Sequence, residues 1–213
     1  MVKQQRGQAT VDQLLAAALQ VYADEGQQGF TVTAVVKASG VSLGSLYHHF
    51  GSFDGLAVAL YIRCMERLFA SLADALERSR TARSGLRRLV DAYFRFTREH
   101  RDAALFLHGS VYAGYIGKHA QRIQTAKETQ TAPMVRWLGE RMRRGEIAPL
   151  SPAVVEIIVM GPITEAARRW LSSTYTLDLA EIQRDLPDVI WRSLAPDTSA
   201  GNTSVVSQSS GSA

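Results

Sequence analysis

Residues 31–50 read TVTAVVKASGVSLGSLYHHF. The stretch holds two apolar-periodic segments, 31–39 and 42–50, each shorter than the roughly 12 to 15 residues an isolated helix needs in water. Tertiary packing must therefore hold them. Between them, Gly40 tolerates positive φ and Ser42 offers a side-chain oxygen to cap a new helix, so the spacing predicts a tight turn joining two short helices. On the second segment Leu43, Leu46 and Phe50 share a stripe, which can pack on Val32, Val35 and Val36 of the first. The opposite face is Gly44, Ser45 and His48, flanked by Tyr47 and His49. A small, polar surface without a carboxylate suits the major groove of DNA, where an acidic side chain would meet phosphate repulsion.

The rest of the chain is consistent with a globular protein. Its 213 residues are 46% hydrophobic, enough for a sizeable core in one domain or two modest ones. The formal net charge of +4 permits an anionic partner. In the first fifty residues, however, Lys3, Arg6 and Lys37 are offset by Asp12, Asp24 and Glu25. The arginines at 78–88 and at 141, 143 and 144 read as solvated helix faces. Cys64 is the only cysteine, which excludes an internal disulfide and a cysteine-rich zinc site and reads as a small buried hydrophobe. No run of about 18 apolar residues appears and MVKQQRGQAT has no apolar core of the signal-peptide kind, so the expectation is a cytoplasmic protein with no membrane partner.

Helical periodicity dominates. Thr10 and Gln13 fit a capping box that would open a first helix ending near Gly26. From Ser52 a long helix carries Leu56, Leu60, Met65, Leu68, Phe69, Leu72 and Leu76 to about Arg80. Further helices are predicted over 83–100, 102–112, 120–144, 152–173 and 179–194, with Ser151 capping and Pro152 at a first helical position. Pro187 predicts a kink or a restart in the last of them. No strand pattern competes, so the fold class is all-α. The expected organisation is a helix-turn-helix unit at 1–51, a helical domain at 52–195, and a disordered Ser-rich tail at 196–213.

These residues resemble the TetR family of bacterial transcriptional regulators. The shared N-terminal pattern falls on Gly29, Phe30, Thr31, Val35, Val36, Ser39, Gly40, Val41, Ser42, Gly44, Leu46, Tyr47, His49, Phe50, Ser52 and Leu56. The stretch GEIAPLSP followed by GPITEAARRWL looks like the family's eighth helix and its lead-in. One departure matters: where the family usually has Ser-Lys-Glu, this chain has Ser52, Phe53 and Asp54, so a lysine that commonly touches phosphate is missing. Lys3, Arg6 and Lys37 are the cations that could replace it.

The resemblance implies roles. Thr31, Thr33, Tyr47 and His48 would hydrogen-bond phosphates, while Ser42, Leu43, Gly44 and Ser45 would approach base edges. Leu43 stands between two readings, the packing stripe by periodicity and the groove by resemblance. A ligand cavity is implied among the middle helices, with Phe69, Tyr93, Phe106, His108, Tyr112, Met134 and Trp137 as candidate lining residues for an apolar or aromatic effector, and His108, Tyr112 and Gln130 as polar groups to orient it. The last two helices would form a four-helix homodimer interface through Val154, Ile158, Gly161, Ala167, Leu186, Val189 and Ile190. A two-fold dimer implies an inverted-repeat operator in double-stranded DNA.

No cofactor, metal or catalytic residue is expected. His48 and His49 are adjacent and point apart, while His100, His108 and His119 show no i, i+4 pair. No phosphate loop or dinucleotide fingerprint appears. The sequence therefore reads as a ligand-responsive repressor. Its rival is a small-molecule carrier of the same fold without operator binding, supported by the missing lysine and the near-neutral N-terminal unit.

Overall fold

The computed structural model describes residues 2–110, 114–172 and 176–196. Within them the chain is helical: α1 (Val2–Gly29), α2 (Val32–Ser39), α3 (Leu43–Phe50), α4 (Phe53–Glu77), α5 (Ala82–Glu99), α6 (Arg101–Ser110), α7 (Gly114–Lys118), α8 (Ala120–Arg143), α9 (Pro152–Ser172) and α10 (Leu179–Leu194). No strand occurs among the described residues. The all-α expectation holds, and α7 is the one element that the periodicity does not predict.

Local chemistry explains most boundaries. Thr31 accepts from the Ala34 amide and Ser42 from the Ser45 amide, each at 3.2 Å, so both short helices are capped. Gly40 between them adopts φ 66°, a left-handed turn that favours glycine. Ser52 caps α4 through the Gly55 amide at 2.9 Å, Thr81 and Ser84 form a reciprocal capping box on α5, and Asp178 caps α10. Ser151 caps α9 through the Val154 amide at 3.3 Å.

The Thr10 and Gln13 expectation fails, and of the two Pro187 alternatives the restart does. Thr10 and Gln13 do not open α1, which already runs from Val2. Thr10 donates back to the Arg6 carbonyl at 3.0 Å, and Gln13 reaches across to the Ser39 carbonyl at 2.7 Å, tying α1 to the end of α2. The same side chains suit a cap or a mid-helix position, and upstream residues able to stay helical decide between them. Gly26 breaks α1 as expected, at φ 67°. Pro187 does not restart α10, which is one helix from Leu179 to Leu194 with the proline buried inside it. Pro133 and Pro162 likewise sit inside α8 and α9.

One hydrophobic core spans the described chain. Helix α4 is its axis, packing on α1, α3, α5, α6 and α8. The N-terminal helices dock on it through a ring cluster: Tyr22 lies 4.8 Å from Phe106, and Phe30 lies 5.6 Å from Phe106 and 5.0 Å from Phe53, between centroids. Arg141 is not on a solvated face. It is buried at 8% exposure and donates to the Ser79 and Arg80 carbonyls at 3.0 and 2.8 Å and to Glu146 at 2.9 Å. Arg83 and Arg87 are exposed but engaged, each 3.0 Å from Asp188 of α10.

Candidate nucleic-acid interface and ligand cavity

The proposed reading face stands clear of the core. Only Leu46 of α3 is buried, and it joins the same core cluster as Val35 of α2. Leu43 is 46% exposed and Tyr47 44%, the largest apolar exposures in the N-terminal unit. The packing-stripe reading of Leu43 therefore fails: it sits on the first turn of α3 with its side chain largely in solvent. Thr31, Thr33, Ser42, Gly44 and His48 are exposed, and Ser45 is half-buried. A Cβ added at Gly44 would meet no atom within 4 Å, so packing within the chain does not require glycine there.

Residues 40–44 also spell G-x-S-x-G, a pattern of hydrolase nucleophiles that the sequence reading overlooks. A nucleophile elbow needs a strand-to-helix turn. Here the segment joins two helices, and the Ser42 oxygen serves as the α3 cap.

Charge on this unit is arranged less acidically than counting suggests. Arg63 of α4 pairs with Asp12, and its hydrogen bond holds the Asp12 carboxyl below the usual range. Lys118 of α7 lies 3.0 Å from Asp54 on the first turn of α4, a cation that sequence order could not have placed there. Arg6 and Lys37 are exposed, and the Lys3 side chain lies outside the described residues.

A cavity of about 620 Å³ lies among α4, α5, α6, α8, α9 and α10. Of the expected lining residues, Phe69, Tyr93, His108, Met134 and Trp137 do face it. Phe106 does not. It is fully buried in the ring cluster against Tyr22 and Phe30, because α6 presents one side to the cavity and the other to α1. Tyr112 lies outside the described residues, and Gln130 lines a shallower pocket with Ile62 and Arg122. Sequence reasoning missed Tyr61, Leu72, Leu86, Leu138, Val159 and Trp191. No signal separates them from core, since cavity wall and core use the same apolar stripe.

The polar groups of the wall are few. Tyr93 Oη lies 3.2 Å from His108 Nε2. Burial, helped by the Arg168 charge and opposed by Glu165, pushes the His108 imidazole down to about 4, so it is neutral near pH 7. Burial and the neighbouring Tyr61 push the Tyr93 phenol up. Lys127 and Glu156 pair at 2.6 Å between α8 and α9, both partly exposed. Cys64 is buried, and burial pushes its thiol up to about 12.

On the expected interface, Val154, Gly161 and Val189 are exposed, and Ile157 is exposed at 71%. Ile158 and Leu186 are half-buried. Ala167 and Ile190 are buried in this chain's own core and are not available to a second chain, a correction to the expected set. Among the described residues no cluster of three or more metal-ligating side chains occurs, and no helix is long and apolar enough to cross a membrane.

Comparison with known proteins matches this geometry. Residues 14–60 match the family described as bacterial regulatory proteins, tetR family. The HTH-type transcriptional regulator UidR of Escherichia coli K12 is 31% identical over 74 residues, 35% of this chain and 38% of that protein. The matched stretch thus spans well under half of this relative. A TetR-family regulator from Marinobacter aquaeolei VT8 superposes with a TM-score of 0.74 at 21% identity, over 91% of this chain and 100% of that one. The regulator FadR of Bacillus subtilis, solved in complex with stearoyl-CoA, does so with a TM-score of 0.72 at 19% identity, over 84% and 96%. Residues 14–60 thus carry the pattern of the tetR family of bacterial regulatory proteins, and the fold over the described chain is that of a solved TetR-family structure.

Proposed function

We propose that the chain is a ligand-responsive transcriptional repressor that binds an inverted-repeat operator as a homodimer and is released by a small apolar or aromatic effector. In this reading residues 1–51 are the DNA reader and 52–195 the effector and dimerisation domain. The observation that carries it is the course of α4. Its first turn abuts α3 so closely that a Cβ on Gly55 would lie 2.1 Å from the Phe50 carbonyl oxygen, while Tyr61, Met65, Phe69 and Leu76 further along the same helix line the cavity. A ligand that prefers a different placement of α4 would move the reader, and a ligand indifferent to the two placements would shift nothing.

The exposed pair Leu43 and Tyr47 supports groove contact by α3, with Thr31, Thr33 and His48 positioned for phosphates. The exposed apolar surface of Val154, Ile157 and Val189 supports association with a second copy. The test is binding to DNA from upstream of its own gene, wild type against Tyr47→Ala, at two salt concentrations and against a scrambled duplex. Specific binding should fall steeply with salt and be weakened by the substitution. Absence of specific binding there and in an unbiased operator selection would favour the carrier reading. A transcription assay in which the bound protein raises output would replace repressor with activator. Effector and operator should weaken each other's binding by the same factor.

A further inference from the structure

The cavity wall is mostly apolar, with a few polar groups set into it. Thr131 and Thr164 line it, but each hydroxyl donates to its own helix, to Lys127 O at 2.9 Å and Met160 O at 2.8 Å. Lys127 is engaged with Glu156 on the partly exposed α8–α9 side. Those threonine hydroxyls keep only acceptor capacity; Tyr61 of α4 adds a phenol beside Tyr93, and the Tyr93–His108 pair, whose members stand on α5 and α6 at 3.2 Å, keeps both roles open. A hydrogen-bonded phenol and neutral imidazole keep unused capacity whichever way the proton lies. If Tyr93 donates to Nε2, its oxygen still accepts from a ligand hydroxyl; if Nε2 donates to the phenol oxygen, the Tyr93 hydroxyl is free to donate to a carbonyl.

We propose that the Tyr93–His108 pair is the cavity's polar anchor and selects a ligand whose inner end carries an uncharged oxygen, a hydroxyl or a carbonyl, on an apolar body. The inference rests on the reading of this cavity as the effector site. A carboxylate at that end would need a counter-cation, because an unpaired buried anion is costly. The titratable and charged groups around His108 are Tyr93 of α5, Tyr61 of α4, Arg168 and Glu165 of α9, and, beside neighbouring Gly109, Tyr22 of α1. Glu165 is hydrogen-bonded by both Arg168 and Arg169, so the α9 charges are already arranged as an ion-pair group. Charging His108 for a carboxylate would mean raising a group that titrates at about 4 to above 7, roughly a thousandfold in affinity. A ligand that sends an alkyl end inward would leave the pair unmet.

The experiment titrates the full chain with decan-1-ol, decan-2-one and decanoate at about pH 7.5, following tryptophan emission, since Trp137 and Trp191 line the cavity. The alcohol and the ketone should each bind at least about tenfold more tightly than decanoate, the factor that one matched polar contact supplies. Tyr93→Phe should bring all three to within about threefold of one another. Should that variant fold poorly, wild type alone still decides: alcohol and ketone affinities stay flat from pH 8 to pH 6, while decanoate tightens as the pH falls. Decanoate binding as tightly as the alcohol, a preference that survives Tyr93→Phe, sloping alcohol affinities, or no binding by any of the three would each overturn the proposal. No DNA enters these titrations, so failure of operator binding and failure of the anchor are read separately.

Discussion

Gly109 of α6 meets Tyr22 of α1 so closely that a Cβ built on the glycine would lie 2.0 Å from the Tyr22 phenolic oxygen. The tyrosine cannot swing away easily, because Phe30 and Phe106 hold its ring edge-on at 5.5 and 4.8 Å. This contact is a second mechanical link, besides α4, between the N-terminal helices and the cavity wall, since His108 is the neighbouring residue. Gly109→Ala should force α1 and α6 apart and cost about 1–3 kcal/mol, the usual range for overpacking a tight interior. Urea unfolding followed by circular dichroism measures it. An unchanged midpoint would mean that the helices separate at no cost.

Leu43 and Leu46 sit three residues apart on α3 with opposite fates, one 46% exposed and the other fully buried. Leu46→Ala should destabilise the chain by about 2–5 kcal/mol through the cavity it leaves. Leu43→Ala should change stability by no more than about 0.5 kcal/mol. If α3 reads the groove, the Leu43 change should nonetheless reduce discrimination between operator and scrambled duplex, by up to about 1–3 kcal/mol. Equal thermal shifts for the two variants would contradict the placement of α3.

The Arg141 clamp should give stability a pH dependence. Burial pushes the Glu146 carboxyl up, but the Arg141 hydrogen bond and the Ala82 amide at 2.6 Å outweigh it and hold the group below its ordinary value of 4.5. A carboxyl depressed by folding stabilises the chain above its unfolded value and loses that contribution as the pH falls through its folded value. Wild-type stability should therefore decline as pH drops below about 4.5, and Glu146→Gln should flatten part of that decline. Arg141→Met should cost about 3–5 kcal/mol at neutral pH, because it leaves the Ser79 and Arg80 carbonyls without their donor and the Glu146 carboxylate with the Ala82 amide but no paired charge. Denaturant midpoints across a pH series check both.

Ile157 is 71% exposed on α9, and Val154 of α9 and Val189 of α10, both of the expected interface, are exposed too. Ile157→Asp should convert a dimer to a monomer at micromolar concentration while leaving the helical circular dichroism signal intact. Analytical ultracentrifugation distinguishes the cases. A dimer that tolerates the aspartate would move the interface off this face.

What the sequence determined by itself is local. Gly40 and Ser42 dictate the turn between α2 and α3 because positive φ and a short side-chain acceptor act within four residues, and the helical periods of α4, α5, α6, α8, α9 and α10 follow from spacing alone. The tertiary structure decided matters that depend on partners distant in the chain. Thr10 and Gln13 have the chemistry of a cap, but helix upstream and Ser39 across the fold turned them to other uses. Phe106 and Phe69 look alike in sequence, yet one side of α6 faces Tyr22 while Phe69 on α4 faces the cavity. Arg141 reads as one more surface cation until Ser79, Arg80 and Glu146 close around it from about sixty residues upstream and five downstream. An apolar period records that a side chain leaves water, and a charge records that it can pair. Neither records what it meets, because that depends on how helices separated by scores of residues come to pack.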